Sequence, residues 1–274
     1  MSSTVPTEYP RTAATTGGGT IMSESFVGSG SGSRMDPRRI AAFAAIALGV
    51  LQLLSTVFGI AVRAPIPNDV DPSRDLATVT ANTVLMSGQG TLRALAGLSL
   101  IVLALAVAQW LQAAAPFAMR VATSAAVIGG ALFIINNVGR LGIYDALAQI
   151  NGKDHSAAVA AYAAFIVVDL LHASAGFVML GVFVLMSAVV AARSRVISRP
   201  LWSVGIVFGI ALIGAHVTGL PSLVHMTGRS YVEFALGLVM GPLLIIWPIW
   251  LGVELLRGRP TSVADLEVTT PAPA

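Results

Sequence analysis

Polar residues interrupt this chain at intervals far longer than a soluble protein allows. After an opening rich in Ser, Thr and Gly, apolar runs follow one another at about Ile40–Val62, Ala94–Ala115, Val121–Ile143, Ala157–Ala192, Leu201–Leu220 and Val232–Leu256. A hydrocarbon layer about 30 Å thick is crossed by roughly 20 helical residues, so each run is long enough to span one. The pattern lacks the alternating segments of about 10 residues that mark an outer-membrane barrel. The expected fold is therefore all-α, a polytopic transmembrane bundle of about six spans.

The breaks between the runs carry turn-forming and charged residues. A polar loop with Pro65, Pro67, Asp69, Asp71, Arg74 and Asp75 separates the first two spans. Pro116 and Arg120 separate the second and third. Asn151-Gly152-Lys153-Asp154, then Arg193, Arg195, Arg199 and Pro200, bracket the fourth span, and His225 and Arg229 lie in the last loop. Residues 1–35 and 259–274 have too little apolar content to order themselves, which gives two disordered tails around a membrane domain at 36–258. The first tail has no apolar stretch after a basic start, so it does not read as a secretory signal, and Met22 and Met35 are alternative initiators.

Composition agrees with a lipid-facing protein. Hydrophobic residues make up 55% of the chain and charged residues 11%, against roughly 25% charged in soluble domains. The mean hydropathy is +0.82. A net charge of +3 does not point to nucleic acid, because the basic residues punctuate the spans instead of forming one patch. With both termini in the cytoplasm, ten of the sixteen Lys and Arg residues fall inside, and every inner boundary carries Arg. Trp110, Trp202, Trp247 and Trp250 then lie near inner ends, and Tyr144, Tyr162 and Tyr231 near outer ends, as two interfacial belts. An Arg-, Ala- and Gly-rich composition is typical of GC-rich bacterial genomes and places the protein in a bacterial cytoplasmic membrane. The absence of cysteine excludes disulfides, thiolate catalysis and Cys-ligated metals.

Ionisable groups within spans are costly and therefore informative. Asn136, Asn137 and Arg140 lie in the third span, Asp169 and His172 in the fourth, and His216 in the fifth. Arg93 and Glu233 open the second and sixth. At about 1.5 Å per residue, Arg140 stands roughly 30 Å from Arg120, Asp169 roughly 36 Å from Arg193, and His216 roughly 26 Å from Arg199. Residues from three spans thus share one level near the outer boundary. Asp169 and His172 share a helical face, and Arg140 is the expected counter-charge of Asp169. Glu254 is expected to pair with Arg257 or reach the interface. Gly205-xxx-Gly209 and Gly237-xxx-Gly241 are expected close-packing sites. Span four is long for a perpendicular crossing: tilt is the default accommodation, and the alternative is an outer end that stands above the bilayer and roofs the polar layer.

Together these residues resemble a bacterial family of six-helix membrane proteins called domain of unknown function 4386. The resemblance covers about residues 36–258. It rests on the Arg-led first span with Gly49 and Leu51, Ala81-Asn82, Arg93, the Asp169/His172 face, Arg199-Pro200-Leu201-Trp202, and Ile249-Trp250-Leu251 with Glu254. It implies the topology and supplies no activity, and the N-terminal tail is not part of it.

The leading functional reading is a protein that binds or moves a small molecule or ion through an outward-facing polar layer; the alternatives are a structural or envelope-associated protein whose polar network pins its helices and, third, an intramembrane metal-dependent enzyme. The depth of the layer favours the pinning network over a functional site. A metal site would draw on His172, His216, His225, Asp169 and Glu233, but no His-Glu-x-x-His spacing or His cluster is present, so neither a metal nor a cofactor is expected. No catalytic motif is found, and the expected partners are membrane lipids and a small molecule or ion.

Overall fold

A computed structural model describes residues 36–62, 72–224 and 231–258, without the side chains of 218–224 and 231–238. Both expected tails, the Pro65–Asp71 stretch, His225 and Arg229 lie outside the described residues, as do the side chains of Glu233 and Tyr231. The described part is almost entirely helical: α1 (Pro37–Val62), α2 (Pro72–Ala81), α3 (Thr83–Leu111), α4 (Pro116–Asn151), α5 (His155–Ser194), α6 (Arg199–Val224) and α7 (Tyr231–Arg257). Six of these, all except α2, are long and apolar enough to cross a membrane.

Proline and aspartate set several helix starts. Pro37, Pro72 and Pro116 each open a helix, where a missing N–H costs nothing. Asp154 caps α5, its carboxylate accepting from the Ala157 N–H at 3.0 Å and the Ser156 hydroxyl at 2.8 Å. These bonds to the ionised form hold the Asp154 carboxyl below the usual aspartate value, the Ala157 N–H having the largest effect.

The spanning helices form a ring in chain order. Each packs along the next, from α1 through α3, α4, α5 and α6 to α7, and α7 returns to α1. Glycine lets several neighbours approach to backbone contact. A Cβ on Gly97 of α3 would lie 2.7 Å from the Gly130 carbonyl oxygen of α4, and one on Gly181 of α5 would lie 3.0 Å from that of Gly209 of α6. The expected Gly205/Gly209 pair therefore does pack closely, with Gly205 against Ala188 and Trp247. Gly241 does not, because a Cβ there would find no atom within 4 Å.

Three expectations need correction or refinement. The loop before the second span is largely helical: α2 occupies 72–81, and α3 starts at Thr83, well before Ala94. Asn82 alone divides the two helices, its side-chain amide donating to the Thr78 carbonyl. Second, of the two arrangements expected for the fourth span, its length favours an outer end that stands beyond the bilayer over tilt. At about 60 Å for 40 residues, α5 would need a tilt of about 60°, beyond the usual range. Instead α4 and α5 continue together past the polar layer as a helical hairpin, and α2 packs on its side. Third, Tyr144, Tyr162 and Trp247 do not form interfacial belts. They are 3%, 5% and 4% exposed, buried between helices.

Two apolar clusters result. The main one fills the ring, with Leu100, Leu103, Phe183, Phe208 and Leu212 almost inaccessible. The second holds α2 to the α4–α5 hairpin through Leu76, Val79, Leu147, Ala158 and Tyr162. The polar residues of α4 and α5 lie between the two along both helices.

Candidate functional site: a buried ion pair between two apolar clusters

Arg140 of α4 and Asp169 of α5 meet as a fork. The guanidinium Nε donates to Asp169 Oδ1 at 2.6 Å, and an Nη2–H donates to Oδ2. Both residues are 8% exposed. The antiparallel hairpin explains why residues 29 positions apart face each other: Arg140 lies 11 residues before the end of α4 and Asp169 lies 14 after the start of α5. Bidentate geometry suits the planar guanidinium and gives charge-assisted bonds at both carboxylate oxygens.

The surroundings close on the pair. A Cβ on Gly90 of α3 would lie 3.1 Å from the Asn137 carbonyl oxygen and 3.7 Å from Arg140 Cβ, so α3 lies against α4 at this level. Tyr144 and Tyr162 are within electrostatic reach of the guanidinium, and Tyr144 packs edge-on against Phe165 at 6.0 Å. Toward the main cluster, Phe133 meets Phe177 edge-on at 4.9 Å, and Phe177 stacks on the His216 ring at 4.6 Å.

The other candidates take separate partners. His172 and His216 each bond through Nδ1 to the carbonyl one turn back, Val168 at 2.8 Å and Leu212 at 2.9 Å. With a carbonyl as partner, Nδ1 must carry the proton, which leaves Nε2 as the lone-pair nitrogen of the neutral rings. Asn136 is buried. Asn137 donates to the Phe133 carbonyl at 2.7 Å, while its Oδ1 is buried with no partner among the described residues. Arg93 engages α1, with Nε donating to Ser55 Oγ at 3.0 Å. Among the described residues no three His, Asp or Glu side chains come together as a metal site.

Sequence reasoning missed Ser55 and Gln89. Gln89 donates to the Ser55 carbonyl at 3.2 Å, and the two residues are 7% and 1% exposed. Gln89 and Arg93 are one turn apart, and that shared face was the available signal. Of the two expectations for Glu254, the pairing with Arg257 is not what is found: it accepts from the Ser198 N–H and hydroxyl, capping the start of α6 from α7. Trp247 donates to the Leu201 carbonyl at 3.3 Å, tying the same two helices.

Fold and site define a multi-pass integral membrane protein with cross-helix polar ties, chief among them the Arg140–Asp169 pair. No family model, curated protein or solved structure matches the chain.

Proposed function

We propose that the chain is a non-catalytic structural protein of a bacterial cytoplasmic membrane, in which the polar layer holds the helices in register. Both termini are in the cytoplasm in this reading, because the Lys and Arg distribution favours it. The closure of Arg140 on Asp169 carries the proposal: a carboxylate held at both oxygens by a buried guanidinium is poorly placed to take a solute. Membrane lipids are its partners, and the family resemblance belongs to the same reading. The α2-capped hairpin is then a rigid head on the outer face.

Removing one member of such a pair leaves an uncompensated buried charge, at a cost of roughly 3–5 kcal/mol. Asp169→Ala is expected to lower thermal stability in detergent by that order. A normally folded Asp169→Ala protein that has lost binding or flux of a solute would support the ligand reading instead. One observation favours that second reading: the buried Asn137 Oδ1, one turn from Arg140 and without a partner among the described residues, is an acceptor for a small molecule or cation.

A further inference from the structure

The ring is tight where α1 meets α7 at one end and open further along. A Cβ on Gly252 would lie 2.6 Å from the Ala42 carbonyl oxygen, and one on Gly49 would lie 2.8 Å from that of Ile245. Further along α7, a Cβ on Gly241 would find no atom within 4 Å among the described residues. Between the two helices lies a groove of about 470 Å³, lined by Gln52 and Thr56 of α1 and by Gly241, Pro242, Ile245 and Ile246 of α7. That volume lies within the range of small-molecule sites, roughly 300–1,000 Å³.

The groove is apolar and carries no charge among its described lining residues, yet one polar side chain there is left without a partner. The Gln52 carboxamide makes no hydrogen bond to a described residue, and Gln52 lines both this groove and a small internal cavity of about 10 Å³. Leu244 lines the same two spaces, and Pro248, four residues on, has no N–H to give its carbonyl. Thr56 is occupied, donating to the Gln52 carbonyl at 2.8 Å. An amide with no partner among the described residues is costly beside lipid, and the Leu244 carbonyl lacks its usual donor four residues on. A neutral hydroxyl satisfies both, because it accepts from the Gln52 amide and donates to the Leu244 carbonyl. A carboxylate would find no cation in the lining.

We propose that the α1–α7 groove is a binding site for a single-chain lipid with a neutral hydroxyl head, its chain along Ile245 and Ile246 and its head at Gln52 and the Leu244 carbonyl. The test uses the purified full chain in lipid nanodiscs and a hexadecanol analogue bearing a photoreactive diazirine. Adducts are expected to concentrate on segments 52–56 and 241–246 and to be competed by unlabelled hexadecanol. Gly241→Leu fills open space and is expected to block labelling without lowering the melting temperature. Gln52→Leu removes one head-group bond and is expected to weaken labelling about tenfold, while a diazirine-bearing alkane probe is unaffected. Adducts spread evenly over all lipid-facing helices, or groove labelling by the alcohol that is unchanged in Gln52→Leu, would overturn the proposal.

Discussion

A guanidinium and a carboxylate brought out of water lose their hydration, and only close pairing with further hydrogen bonds restores the balance. Arg140 and Asp169 meet that condition through two bonds, whereas Arg93 meets part of its need from Ser55 on another helix pair. At the end of the hairpin, Asp154 provides a charge whose effect can be titrated. Its folded-state pKa is depressed, so the stabilisation it gives α5 is complete above the unfolded aspartate value of about 3.9 and is lost as the pH falls through the folded value. Amide exchange over the first turn of α5 is expected to accelerate in that acidic window in the native chain. Asp154→Asn, which keeps a capping oxygen without the charge, is expected to remove the pH dependence.

At the scale of elements, glycine positions decide how closely helices approach. Gly181 faces the Gly209 carbonyl, and a Cβ there would also lie 2.8 Å from Ile213, so Gly181→Leu is expected to push α5 from α6 and cost about 1–3 kcal/mol or more. Gly139→Leu, where no atom lies within 4 Å, is expected to be neutral, with thermal unfolding in detergent separating the two. The six spans were legible in the sequence because length and apolarity alone specify a crossing helix. Element α2 was not, since only Leu76 and Val79 mark its buried face among polar neighbours, and Asp75 and Thr78 read as loop. The shared level of Arg140 and Asp169 was legible because helix rise converts residue number into depth. Ser55 and Gln89 were not, because neutral polar side chains inside apolar runs draw little notice until a partner helix is placed beside them. Trp247 was misread as interfacial because its distance from Arg257 does not reveal which face it occupies.

At the scale of the whole molecule, the ring carries apolar packing at its centre, a capped hairpin at one end and the Glu254–Ser198 tie at the other. Its proposed orientation is open to a clean experiment because the chain has no cysteine. Lys153→Cys is expected to react with a membrane-impermeant maleimide on intact cells, and Arg120→Cys only after permeabilisation. The proposal that the polar layer maintains the bundle depends most directly on the coupling between its two charges. The decisive measurement is a double-mutant cycle on unfolding free energy in detergent, using Asp169→Asn, Arg140→Gln and the pair combined. If the layer pins the helices, each single change is strongly destabilising and the double change is better tolerated than either alone. Additive losses, or single variants as stable as the native chain, would contradict it.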